Sequence, residues 1–237
     1  MKIFYSNIYP LTLKQFMLEP TLDNLKELLL HNTGETDFLD FKSKWIDMTK
    51  LAKHILAISN SGGGCIVVGV NQLDDGTLVL EGLQPRDVLD KADVDNKLEH
   101  LLPKYIKYRT EDFIFPMRTH DKLKGKTFQV LIIEYDPKYV PYTSVVNQGE
   151  LKYGAIYIRQ GTKSIEANYE KLVEIILRKV ESGGSGFEDY NLRDHLQHLN
   201  ILYEELQANQ NDEYREFLQV LIDDKKKKIR SYLALPN

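Results

Sequence analysis

The segment from Glu35 to Gly76 constrains the fold of this chain more than any other. It reads as a strand (ETDFLDFK), a helical run that ends in SNSGGG, a second strand (CIVVGV) and an acidic turn (QLDDG). The second strand is almost wholly apolar, which indicates a strand that is covered on both faces of its sheet. The order of these elements predicts that carboxylates, a lysine and a glycine-rich turn come together at one place.

The acids of this segment are candidate ligands for a metal ion. Glu35 and Asp40 are five residues apart, so they share a face of an extended strand only if a bend or bulge lies between them. Lys42 follows Asp40 by two and shares its face, while Asp74 and Asp75 come just after the apolar strand. Carboxylates that converge beside a lysine suit a Mg²⁺ site for phosphodiester chemistry, because Mg²⁺ prefers hard oxygen ligands. A solvated set of loop acids is the alternative.

Four short motifs in a fixed order carry a resemblance to a known family. They are Glu35 with Asp40, Phe41 and Lys42; Ala57 with Asn60, Ser61, Gly63 and Gly64; Gly69 with Val70; and Tyr157 with Ile158, Arg159, Gly161 and Thr162. Over about residues 21–175 the chain resembles the AlbA-like domain of the Schlafen group. Four motifs in the right order are more specific than any one of them alone.

This resemblance implies a site and an activity. In Schlafen proteins that cut transfer RNA, acids at the positions of Glu35 and Asp40, with one acid just after the strand that ends in Gly-Val, hold Mg²⁺ or Mn²⁺. Lys42 would stabilise the developing negative charge. The family often has Asp directly after Gly-Val, whereas this chain delays its acids to Asp74 and Asp75. The candidate metal ligands are therefore Glu35, Asp40 and Asp74, and the candidate catalytic residues are these three with Lys42 and Asp75.

Two functions are compatible with these motifs. The first is a metal-dependent Schlafen-like endoribonuclease that acts on transfer RNA or other structured RNA, with a family-level role in defence against phage. The second is a non-catalytic regulatory module that binds DNA or RNA. Its C-terminal helical hairpin would mediate oligomerisation. RNA is favoured over DNA as the partner.

Cations interleaved with aromatic residues could form a groove for nucleic acid, because they can hold phosphates while bases stack. Tyr105 and Tyr108 alternate with such cations. Solvated strand faces give the same pattern. The candidate nucleic-acid-binding residues are Lys44, Lys104, Lys107, Arg109, Arg159 and Lys163.

Composition narrows the class of protein. The formal net charge of −4 argues against a chain that coats nucleic acid indiscriminately, since non-specific affinity comes mainly from cations. The single Cys65 excludes an internal disulfide. There is no P-loop sequence for a nucleotide, and the glycines after Ser61 indicate a helix end or a nest of N–H groups for a phosphate. No apolar run approaches the ~20 residues of a membrane helix, so we expect a cytoplasmic protein without membrane contact.

Periodicity predicts an α+β fold, with a mixed, mostly antiparallel sheet, packed helices and a C-terminal helical hairpin. The predicted divisions are an N-terminal arm over 1–20, a Schlafen AlbA-like domain over 21–180, a linker over 181–186 and the hairpin over 187–237. Two helices alone bury little surface, so the hairpin should pack on the main domain or on another copy of the chain. We expect a homo-oligomer, with a dimer favoured.

The predicted helices begin near residues 21, 47, 86 and 168, and the predicted strands cover 35–42, 65–70, 77–83, two runs within 105–135, and 156–159.

Overall fold

The computed structural model describes residues 11–31, 36–73, 75–181, 192–208 and 212–233. The chain divides into two compact units, residues 1–184 and 185–237. The helices are α1 Leu11–Leu18, α2 Leu22–His31, α3 Met48–Ser61, α4 Lys91–Leu98, α5 Tyr169–Glu181, α6 Leu192–Ala208 and α7 Asp212–Tyr232. The strands are β1 Leu39–Lys42, β2 Gly64–Val68, β3 Val70–Gln72, β4 Leu78–Leu80, β5 Tyr108–Ile114, β6 Thr127–Ile133, β7 Tyr157–Gln160 and β8 Lys163–Glu166. The predicted α+β class is confirmed.

The main sheet has four strands in the order β1-β2-β6-β5. β1 runs parallel to β2, and the other neighbours are antiparallel. Lys42 pairs with Val68, which pairs with Gln129 on β6, so these three residues mark one end of the sheet. The β3–β4 and β7–β8 pairs are separate antiparallel hairpins.

Both faces of the main sheet are covered, as the apolar sequence of β2 predicts. Ile66 and Leu131 point into a core shared with α3, α4, β7 and α5. Cys65 and Val67 point the other way, into a core shared with α1 and α2. Every residue of β2 is buried, which accounts for its apolar composition. Since side chains alternate along a strand, Asp40 and Lys42 of β1 lie on the α3 side of the sheet.

Gly69 divides what the sequence predicts as one strand over 65–70. β2 ends at Val68, and Gly69 takes a φ of +108° while its N–H donates to the carbonyl oxygen of Lys42 at 2.8 Å. A Cβ at this position would lie 2.9 Å from Cδ1 of Phe128. The chain therefore leaves the main sheet here, and the predicted hairpin forms between Val70–Gln72 and Leu78–Leu80 only.

The glycines after α3 end the helix and bring β1 and β2 together. The N–H groups of Gly62 and Gly63 both donate to the carbonyl oxygen of Ile58, so the helix end uses two of the donors that a phosphate nest would need. A Cβ on Gly64 would lie 2.0 Å from the carbonyl oxygen of Phe38. Only glycine permits this approach of the two backbones.

Some predicted elements differ in extent. The helix predicted over 86–102 is a short 3₁₀ turn at Pro85–Asp87 followed by α4, whose N-cap is Asp90. The β8 strand was not predicted. Part of the predicted arm is α1, which packs on α2, while residues 1–10 lie outside the described ranges.

The second unit is consistent with the predicted hairpin, because α6 and α7 pack together. The linker predicted over 181–186 falls almost entirely outside the described residues. Within the ranges that are described, no helix has the length and apolar character needed to cross a membrane.

Candidate functional site

Asp40 on β1 lies at the centre of a buried cluster of charges. Its side chain is 0% exposed, and the ammonium of Lys42 lies 2.5 Å from Oδ2. On its other side, Nη2 of Arg159 lies 3.0 Å from Oδ1. The shared face of Asp40 and Lys42 follows from their spacing of two, whereas Arg159 comes from β7, which packs on α3. Both oxygens of the carboxylate therefore face cations.

Arg159 is held in this cluster by several groups. Its backbone N–H donates to Oγ of Ser61 at 2.9 Å, and its Nη1 lies 3.3 Å from both Nδ1 of His54 and Oγ of Ser164. The sequence predicts Arg159 as a contact to nucleic acid, which requires an exposed guanidinium. In the structure only 4% of the residue is exposed, because the guanidinium is turned inward to balance the charge of Asp40.

His54 adds no charge to the cluster at neutral pH. The pKa of His54 is lowered from 6.5 to about 4, mainly by burial; the charge of Asp40 opposes this shift, and the charges of Lys42 and Arg159 add to it. The ring is therefore neutral at pH 7. Among the described residues, the charged groups of the cluster are the carboxylate of Asp40 and the cations of Lys42 and Arg159.

A cleft of about 430 Å³ opens beside Lys42. It lies between the end of β1, the β3–β4 hairpin and the turn from β7 to β8, and its polar lining includes Lys42, Ser43, Gln72 and Thr162. The break at Gly69 is what positions the β3–β4 hairpin as one wall. A cleft whose described lining combines a cation with neutral hydrogen-bonding groups is suited to an anion such as a phosphate.

Only some of the predicted metal ligands lie within the described residues. Glu35 and Asp74 lie outside the described residues. Asp75 is in the hairpin turn, where its carboxylate accepts the N–H of Thr77 at 2.8 Å, and this bond lowers the pKa of Asp75. Among the residues that are described, no three His, Cys, Asp or Glu side chains are grouped so that they could hold a metal ion. Asp40, engaged by two cations, does not fit the role of a ligand by itself.

The predicted surface cations are spread over different elements. Lys44 lies 3.5 Å from Asp87, and Lys163 is exposed on β8, next to the turn that lines the cleft. Arg109 lies on β5, at the opposite edge of the sheet from β1, and binds Glu134 at 3.0 Å. Just before β5, Lys104 is exposed and Lys107 lies 3.4 Å from Asp136. The candidate cations therefore come from several elements, at both edges of the main sheet.

Sequence reasoning assigned no role to Asn60, His54 or Ser164. Nδ2 of Asn60 donates to the carbonyl oxygens of Tyr142 and Tyr157 at 2.9 Å each, and its Oδ1 accepts the N–H of Tyr142 at 2.7 Å. Asn60 thus ties the end of α3 to two later segments. Its place in one of the four motifs was a signal that it mattered, but not of what it bonds.

The comparison with known families agrees with the motifs. The family model described as Schlafen, AlbA_2 matches residues 35–168, which is more than half of the 237 residues. The matched range contains all four motifs, the charged cluster and the lining of the cleft. No curated protein matches the chain.

Proposed function

The chain belongs to the Schlafen AlbA_2 family, and from this premise we propose that it binds nucleic acid in the cleft beside Lys42, with structured RNA as the expected ligand. The family indicates a nucleic-acid-binding domain. The preference for RNA rests on the resemblance to Schlafen proteins that cut transfer RNA. The observation that carries the proposal is the position of Lys42, a cation that lines the cleft at the edge of the charged cluster.

The cluster supports a phosphate in two ways. Arg159 pairs with Asp40 from inside the protein, while Lys42 pairs with Asp40 from the side of the cleft, so a cation faces an anion that enters there. Asp40 also fixes the position of the Lys42 ammonium, which reduces the entropy lost when a phosphate binds. Ser43, Gln72 and Thr162 line the same cleft and can donate hydrogen bonds to phosphate oxygens. The negative net charge of the whole chain restricts such binding to a local patch.

The test compares Lys42→Gln with wild type in binding to labelled transfer RNA, measured by fluorescence anisotropy over a series of salt concentrations. Loss of one phosphate contact should weaken binding and reduce the slope of log K against log salt by about one. The matched control is Lys171→Gln on α5, since Lys171 is also ion-paired, with Glu174 at 2.7 Å. An unchanged affinity and slope in Lys42→Gln would exclude the cleft as the binding site.

Metal-dependent cleavage of RNA is the second candidate. The observation that favours it is that Leu73 and Gly76 line the cleft, so the turn that carries Asp74 and Asp75 adjoins the proposed phosphate site. The family match also begins at Glu35. Because Asp40 is engaged by cations, Glu35, Asp74 and Asp75 are the acids left to hold Mg²⁺ or Mn²⁺.

Cleavage is tested by incubation of the protein with total transfer RNA and Mn²⁺ or Mg²⁺, or with a chelator, and by a denaturing gel. The informative variant is Glu35→Gln with Asp74→Asn. Removal of Asp40 is unsuitable, because it would take away the carboxylate that pairs with the buried Arg159 and with Lys42, and would destabilise the fold. Metal-dependent fragments that disappear in the variant would establish an endoribonuclease, whereas intact RNA with a retained gel shift would leave the non-catalytic binding module.

Self-association is part of the same proposal. Schlafen cores pair two AlbA-like lobes around the substrate, and this chain contains one match to the family. A homodimer would supply the second lobe, and the hairpin of α6 and α7 is the proposed site of contact. Light scattering over a range of protein concentrations distinguishes a dimer from a monomer, and a monomer at every concentration would contradict this part of the proposal.

A further inference from the structure

Tyr105 and Tyr139 form a stacked pair of rings outside the cleft. Their centroids are 4.4 Å apart, their planes differ by 2°, and Tyr105 is 55% exposed. Resting on the proposed function, we infer that this pair is a platform on which an unpaired base of the bound nucleic acid stacks. An exposed aromatic ring offers such a face to any base, because every base has a π-surface.

The backbone beneath the two rings is held by hydrogen bonds. The hydroxyl of Tyr142, a residue that is buried, donates to the carbonyl oxygen of Tyr105 at 3.3 Å. The ammonium of Lys179 donates to the carbonyl oxygens on both sides of Tyr139, those of Lys138 and Val140, at 3.1 and 2.8 Å. The rings therefore stand on fixed backbone, and a base that stacks on them need not order a loop first.

The charges around the pair match a nucleotide. Lys104 precedes Tyr105 and is exposed, and the ammonium of Lys138 lies 5.7 Å from the centroid of the Tyr139 ring. The nearest described acid along the chain, Asp136, is engaged by Lys107 at 3.4 Å. Each ring of the pair thus has a lysine directly before it in the sequence, and such cations favour the phosphates of a bound strand.

The platform and the cleft are at opposite ends of the main sheet. Lys42 is level with Gln129 on β6, whereas Tyr108, which begins β5 just after Tyr105, pairs with Ile133. Four residues of strand separate the two levels, roughly 14 Å at the usual rise per residue. A ligand that reaches both sites needs several nucleotides, with at least one base unstacked from its neighbours.

The test measures the affinity of the protein for two labelled ligands by fluorescence anisotropy. One ligand is an oligouridine of about 12 nucleotides and the other is a duplex. The variants are Tyr105→Ala, Tyr105→Phe and, as a control, Tyr153→Ala, since Tyr153 is 77% exposed in the loop before β7. Tyr105→Ala should weaken binding of the single strand at least about fivefold, the low end for one stacked base. Tyr105→Phe, which keeps the ring, and Tyr153→Ala should bind as wild type does. Circular dichroism checks that each variant is folded.

The other outcomes separate this inference from the proposed function. If Tyr105→Ala binds oligouridine as tightly as wild type does, there is no stacking platform. The same conclusion follows if the variant loses affinity for the single strand and for the duplex equally. If Lys42→Gln still loses affinity in either case, the cleft remains the binding site and only the platform is excluded. If wild type binds neither ligand, the proposed function fails and this inference with it.

Discussion

Acid should destabilise the AlbA-like domain through His54, a group that is 8% exposed and lies beside Arg159 and Asp40. Burial lowers the pKa of His54 to about 4, while the unfolded chain returns it to its ordinary value near 6.5. Between these two values the unfolded state binds more protons than the folded state. The contribution of His54 is therefore fully present above about pH 6.5 and is lost as the pH falls toward 4.

The size of this loss follows from the shift. A pKa unit corresponds to about 1.4 kcal/mol, so the shift from 6.5 to about 4 amounts to about 3 kcal/mol once the pH is below both values. At pH 5 the unfolded histidine is almost fully protonated and the folded one almost fully neutral, and the loss is already about 2 kcal/mol.

Urea unfolding at pH 7 and pH 5 measures this effect, with the fluorescence of Trp45, the single tryptophan, as the signal. The control is His54→Gln, which does not titrate and can still accept a hydrogen bond from Arg159. Other carboxylates titrate equally in both proteins, so wild type should lose about 2 kcal/mol more than the variant between the two pH values. Equal losses would show that His54 is already charged, or already exposed, in the folded protein.

Three further substitutions test the structural contacts. Asp40→Asn should lower the free energy of unfolding by about 3–5 kcal/mol, because it removes the buried carboxylate that pairs with Arg159 and Lys42; a loss below about 1 kcal/mol in urea unfolding would contradict the buried cluster. Gly64→Ala should prevent folding as judged by circular dichroism, since its Cβ would lie 2.0 Å from the carbonyl oxygen of Phe38, whereas Gly76→Ala, with nothing within 4 Å, should fold. Asn60→Ala should lower the free energy of unfolding by at least about 2 kcal/mol, because it leaves buried backbone groups without hydrogen-bond partners. An unchanged thermal midpoint would refute this.

The sequence was most informative where a local pattern decides the structure. The apolar run of β2 predicted a strand covered on both faces, and a spacing of two placed Asp40 and Lys42 on one face. The break at Gly69 was not predictable in the same way, because a glycine within a strand can continue the strand or end it. The approach of the Lys42 carbonyl decides between them, and it depends on the neighbouring strand.

The candidate site shows the same limit. The position of Arg159 in a family motif marked it as important, but its ion pair with Asp40 joins residues far apart in the sequence. Only the packing of β7 on α3 brings the two together. An arginine on the surface and an arginine that neutralises a buried carboxylate look alike in the sequence. Only the tertiary structure distinguishes them.

The bonds of Asp40 and Asn60 have a consequence for synthesis on the ribosome. Both residues leave the exit tunnel well before Tyr142, Tyr157 and Arg159, to which they bond in the folded domain. Until those residues emerge, closing the α3 side of the sheet would bury the Asp40 carboxylate without Arg159 and the Asn60 amide without its hydrogen bonds to Tyr142 and Tyr157. The nascent AlbA-like domain must therefore stay open through most of its translation, and a chain that stops short of β7 is expected to remain a substrate for chaperones and proteases.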